Sequence, residues 1–143
     1  MQMEDMRVKS SMPKSLVKIE DFVVDLPDDV LERDYDEKYL LLFDTKARKH
    51  IVLSRRAAYH SDVLAIFMEE LKYRGEVRAK DDIEVCGGGI LQIQDSGTAI
   101  KTFGKSGAFG AVQSSKLKIV KKCLETAFKE AKVDVASTNF VRD

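Results

Sequence analysis

The chain has 143 residues, 44% hydrophobic and 34% charged, with Lys plus Arg equal to Asp plus Glu at 24 each. That length fits one domain whose core needs no disulfide or metal staple, and the composition is that of a soluble globular protein rather than a disordered or fibrous one. A net charge of zero argues against nonspecific nucleic-acid binding as the main activity.

No apolar run approaches the ~18 residues of a membrane span. The N-terminal MQMEDMRVKSSMPKS has no apolar stretch of the secretory kind. The expectation is a cytoplasmic protein with no membrane partner. Cys86 and Cys123 lack CxxC spacing and read as free thiols in a reducing compartment. With only two histidines beside them, and no ligand spacing, a metal site is not expected, nor any cofactor.

The neutral total conceals a segregation. Glu20 to Glu37 holds nine acids against Arg33 alone, whereas Lys46 to Arg56 holds five basic residues and no acid. The basic run leads up to His60 and the acidic run up to Lys38. A basic face drawing in an anion over about one Debye length, roughly 8 Å, is therefore expected.

In chain order, residues 1–15 read as a loose leader and residues 16–143 as the domain. Residues 16–25 are β-prone, with Val17, Ile19, Phe22 and Val24 inward and one break in the period. Asp28 to Glu37 is an acidic connector. Lys38 to Asp44 is a continuous apolar run with charged ends, predicting a strand covered on both faces. A basic turn at Thr45–Lys49 then makes a hairpin with a strand over His50–Leu53. Tyr59 to Arg74 predicts a helix with His60, Leu64, Phe67 and Leu71 in one stripe and Gly75 as its stop. Ser54 would cap a long version and Ser61 a short one. Three strands follow, at 82–86, 90–94 and 98–103. A second helix over Lys116–Lys132 would be capped by Ser115, with Leu117, Val120, Leu124, Phe128 and Ala131 inward. A last strand carries Val133, Val135 and Ser137. This pattern predicts an α/β (α+β) single domain with a mixed sheet of about six strands and two flanking helices.

Seven of the eight glycines lie between Gly87 and Gly110. Gly87-Gly88-Gly89 reads as a strand bulge or a site of close backbone approach. In Gly104-Lys105-Ser106-Gly107-Ala108-Phe109-Gly110, successive N–H groups could converge on an anion, or the loop could be a plain flexible hairpin. Its GKS is not a nucleotide P-loop, because Ala99 stands where that motif's first glycine belongs. His60 on an apolar stripe reads either as a satisfied structural side chain or as a general base. At the N-terminus of a short helix, the positive end of the dipole disfavours imidazolium, and a neutral ring can take a proton from water. His50 reads as a hairpin residue. Lys38 reads as a strand-end charge in solvent or as a phosphate contact.

Four segments carry a resemblance by their order and spacing: Lys38-Tyr39-Leu40, Tyr59-His60-Ser61-Asp62, Cys86-Gly87-Gly88-Gly89 and the loop from Phe103 to Gly110. Over about residues 16–140 the chain resembles the Janus/ocnus family, which includes the protein histidine phosphatases of animals. The resemblance implies a mixed six-stranded sheet with a helix on each side. It also implies a metal-free enzyme that removes phosphate from phosphohistidine in a partner protein, acting as a monomer without a cofactor. His60 matches the catalytic histidine, Lys38 the phosphate-contacting lysine, and Ser106, Gly107 and Ala108 the loop holding the phosphoryl group. Insect members are associated with sex differentiation. Phosphatase members commonly carry arginine where this chain has Leu53 and Ile90. Since arginine grips phosphate through a bidentate fork, the alternative is a catalytically weakened member that binds phosphoproteins or other anions as a regulatory module. Arg55 and Arg56 are the nearest substitutes in sequence. A nucleotide binder using the glycine loop is a weaker third reading.

Overall fold

The structure, a computed structural model, describes residues 22–136. In chain order they form β1 (Phe22–Asp25), β2 (Tyr35–Asp44), β3 (Lys49–Ser54), α1 (His60–Tyr73), β4 (Ile83–Gln94), β5 (Ala99–Phe103), α2 (Ser114–Ala127) and β6 (Lys132–Val135). All six strands share one sheet in the order β1-β3-β2-β4-β5-β6. The outer pairs β1–β3 and β5–β6 are parallel and the three inner pairs antiparallel, so the sheet is mixed.

Alternation along β2 builds two cores from one strand. Tyr35, Tyr39 and Leu41 join a layer with Val120, Cys123 and Leu124 of α2. Leu40 and Leu42 join a second layer with Val63, Phe67 and Leu71 of α1. The run from Leu40 to Leu42 is therefore continuously apolar because each face meets a helix, and all three leucines are fully buried. This is the expected α+β sandwich, one helix to each side of the sheet.

Several boundaries differ from the sequence reading. β2 starts at Tyr35 rather than Lys38, because buried Tyr35 pairs with Ile93 across the strand while Asp36 and Glu37 keep contact with water. The segments 82–86 and 90–94 are one strand of 12 residues, with the glycine triplet running through it. Its register shifts where Leu41 faces Gly87 and Leu42 faces Val85, leaving Cys86 as the extra residue of a bulge. α1 begins at His60 with Tyr59 at the N-cap and no side-chain cap, so neither Ser54 nor Ser61 caps it. Its buried stripe is His60, Val63, Phe67 and Leu71, and Leu64 is only half-buried. α2 starts one residue before Ser115 and stops at Ala127, so that Lys132 can open β6. Of the first β-prone segment, Phe22 and Val24 are buried as expected; Val17, Ile19, Ser137 and the leader lie outside the described residues. Neither cysteine is in a disulfide; Cys123 is buried and Cys86 half-buried. Among the described residues no helix is long and apolar enough to cross a membrane.

His50 is more enclosed than a hairpin residue need be. Its ring tilts against Phe43 at 4.8 Å, and its Nε2 is buried with no hydrogen-bond partner among the described residues. Burial, reinforced by the Lys116 ammonium and opposed by Glu84, holds its pKa below the usual 6.5. The folded state then binds fewer protons than the unfolded one as pH falls through 6.5, so stability is full above that pH and declines below it. The Asp29 carboxyl is held low by Arg56, which confines its own loss to pH below 3.8. Chemical denaturation between about pH 7.5 and about pH 5.5 should show the decline, and His50→Phe should flatten it.

Candidate functional site

The site is organised by what Gly88 lacks. A Cβ on Gly88 would lie 2.6 Å from the Tyr39 carbonyl oxygen, 2.9 Å from Leu40 Cδ2 and 3.0 Å from His60 Cδ2. The bare backbone lets the first side chain of α1 lie directly on the sheet. His60 is 0% exposed there, and its Nε2 stands 2.8 Å from the Gly89 carbonyl oxygen. A carbonyl only accepts, so Nε2–H donates, and in the neutral ring the lone pair falls on Nδ1. Gly89 is equally tight, since a Cβ there would come within 2.5 Å of the Phe103 carbonyl oxygen.

Lys38 lies two residues before Leu40 on β2, hence on the α1 face that carries His60, and pairs with Ile90. Its carbonyl is pinned from behind. Ser54 Oγ donates to it at 2.5 Å, so Tyr35 must donate its hydroxyl proton to Ser54 Oγ at 2.7 Å. Ser54 is fully buried and Tyr35 is 1% exposed, making this a dry relay through the sheet. Neither residue stands out in the sequence; a serine ending a strand and a tyrosine in an acidic connector carry no motif.

The loop after β5 closes on itself. Gly110 N–H donates to the Ser106 carbonyl at 2.9 Å, and Ser106 N–H returns to Gly110 at 3.3 Å. Ser106 is 2% exposed, and its Oγ accepts Ala108 N–H at 3.1 Å and Phe109 N–H at 3.0 Å. A hydroxyl has two acceptor sites and one proton. Both acceptor sites are taken, and among the described residues the proton has no acceptor. Gly107 N–H is likewise without a partner among them. The loop is tied to the histidine by Gly88 N–H, which donates to Gly110 at 3.0 Å. His60 and the Ser106–Gly110 loop therefore both fasten to the Gly88–Gly89 backbone, and Lys38 is one register position from Gly89.

The arginines go elsewhere. Arg55 sends Nη2 to Asp25 at 2.7 Å and to Glu70 at 2.6 Å, and Nη1 to two backbone carbonyls. Burial opposes its charge, but the bonds to Glu70 and Asp25 outweigh this and raise its pKa further. Arg56 pairs with Asp29 at 2.7 Å and covers the Tyr35 ring at 5.0 Å. The basic run thus meets the acidic run instead of lining an anion-seeking face: both of its last two guanidiniums are spent on carboxylates of the opposite segment. Leu53 is fully buried in the α1-side core. Ile90 is fully buried between Lys38 and Phe103 across the sheet. A cavity of about 250 Å³ lies toward the other end of α1, lined by Val23, Ile51, Phe67, Leu71 and Arg78 among others, and none of the candidate residues lines it. Among the described residues no group of three or more His, Cys, Asp or Glu could hold a metal ion.

The Janus/Ocnus family model matches residues 25–132, a span that includes Lys38, His60, Ser106, Gly107 and Ala108. The chain belongs to the Janus/Ocnus family. No curated protein matches it. Within this Janus/Ocnus member the match runs from the last residue of β1 to the first of β6, so β2 to β5 and both helices lie inside it.

Because the nearest obstacle at Gly88 is the Tyr39 backbone, which cannot rotate away, Gly88→Ala should cost about 1–3 kcal/mol of stability. Urea unfolding measures this, and the His60 ring signals in an NMR spectrum should shift with it. A variant as stable as the parent with unmoved His60 signals would show that the imidazole does not depend on this glycine.

Proposed function

We propose that this Janus/Ocnus member hydrolyses phosphohistidine in a partner protein, with His60 as general base. The observation that carries the reading is a buried imidazole whose Nε2–H donates to Gly89, on the same stretch of β4 that fastens the Ser106–Gly110 loop and lies one register position from Lys38. Water attacks phosphorus and its proton passes to His60 Nδ1; the P–N bond breaks, and His60 returns that proton to the departing imidazole of the substrate. Lys38 neutralises the phosphoryl charge, while Ser106 O–H and Gly107 N–H donate to its oxygens. Ala108 acts by holding Ser106 through its N–H. The P–N bond is labile, so positioning and fixed donors supply most of what the reaction needs. Direct attack by His60 Nδ1, with transient phosphorylation of its ring, uses the same groups.

A second reading, a phosphoprotein-binding module without turnover, is favoured by one specific feature. The family's two arginine positions are buried aliphatic here, and the nearby guanidiniums are engaged by carboxylates.

Phosphate release from a phosphohistidine protein should fall about 100-fold or more in His60→Ala, the usual worth of a positioned base. Equal rates in parent and variant would remove His60 from catalysis. Tight binding of a phosphohistidine analogue by a parent that releases no phosphate would establish the module instead.

A further inference from the structure

Charge that is half withdrawn from water needs a counter-charge. Five of the six described arginines have one: Arg33 and Arg56 at Asp29, Arg55 at Asp25 and Glu70, Arg74 at Glu76 and Arg78 at Asp44. The half-buried lysines do not. Of the four, Lys49 lines the cavity toward the far end of α1, and Lys116 sits in the first turn of α2 on the other face of the sheet. The remaining two are Lys38 and Lys105. Neither has an ion pair or hydrogen bond to its ammonium among the described residues. Both belong to the neighbourhood of Gly88 and Gly89. Lys38 is one register position from Gly89. Lys105 follows Gly104, whose carbonyl oxygen would lie 3.1 Å from a Cβ on Gly89, and it immediately precedes Ser106.

We infer that Lys105 is a second substrate-binding cation, and that this protein grips the phosphoryl group with two ammoniums, Lys38 and Lys105, in place of guanidiniums. The inference rests on the hydrolase reading for the identity of the anion, but not on turnover. An ammonium without a partner among the described residues on each side of the Gly88–Gly89 backbone gives a site for a tetrahedral dianion that is charge-complementary without a planar fork. Because an ammonium is a point charge with rotatable donors, such a site tolerates a phosphate, a phosphoramidate or a phosphohistidine head alike.

The test is titration of the full chain with inorganic phosphate, followed by NMR, together with phosphoramidate hydrolysis. Lys105→Met should weaken phosphate binding about tenfold and raise KM more than it lowers kcat, the loss expected of a hydrogen bond to a charged group. Lys105→Arg should restore binding to within about threefold. Lys101→Met, which removes an exposed lysine from β5, should change binding less than about twofold, since exposed charges contribute little. If the parent binds phosphate and Lys105→Met binds it equally well, the inference is overturned and the hydrolase reading stands. If Lys105→Met loses binding but the parent hydrolyses nothing, Lys105 is upheld and the hydrolase reading falls. If the parent binds no phosphate at all, both are overturned.

Discussion

An imidazole wholly withdrawn from water must find partners for its ring nitrogens, and His60 finds one in the Gly89 carbonyl at 2.8 Å. Much else in the structure serves that contact. The ring can reach the carbonyl only because Gly88 has no side chain to hold it off. Gly88 can present a bare backbone without loosening the sheet because it pairs with Leu40 of β2 on one side and donates its N–H to Gly110 on the other. The helix that carries His60 is fixed over the same strands by Val63, Phe67 and Leu71, which pack on Leu40 and Leu42. The glycine-rich loop is fastened to the same backbone through Gly88 N–H. Placement of His60, the loop and Lys38 therefore shares one reference, the middle of β4.

The charges divide by the same logic. Acidic and basic runs that look like separate faces in the sequence come together in space, because β1 and β3 are parallel neighbours and their ends bring Asp25 against Arg55. Burial makes that pairing compulsory: Arg55 has a side chain only 12% exposed, and an unmatched guanidinium there would be strongly unfavourable. Opposite charges are thus matched directly at one end of the sheet. The half-buried lysines on the strand and loop beside Gly88 and Gly89, Lys38 and Lys105, have no such partner among the described residues.

Much of this was legible in the residues. The triple leucine run announced a strand between two layers, and the stripe from His60 to Leu71 announced α1. The order of Lys38, His60, the glycine triplet and the Ser106 loop pointed to the family over most of the chain. Three things were not legible. The glycine triplet read as an interruption because glycine disfavours strands in isolation, and it is pairing with Tyr39, Leu40 and Leu41 of β2 that keeps β4 continuous across it. The start of β2 was hidden because Asp36 and Glu37 made a half-buried strand look like a connector. The destination of Arg55 and Arg56 depends on contacts 27 and 30 residues away in sequence, which no local pattern encodes. The Tyr35–Ser54–Lys38 relay is of the same kind, since it crosses two strands and involves no motif.

His60 is held as an Nε2–H donor to Gly89, which in the neutral ring puts the lone pair on Nδ1. Nitrogen-15 NMR of the histidine-labelled protein at a pH where the ring is neutral reads this directly. The account predicts a protonated Nε2 and a pyridine-like Nδ1 signal that moves when inorganic phosphate is added. A ring protonated at Nδ1 with a pyridine-like Nε2 would contradict it, for the Gly89 carbonyl could not then be its partner.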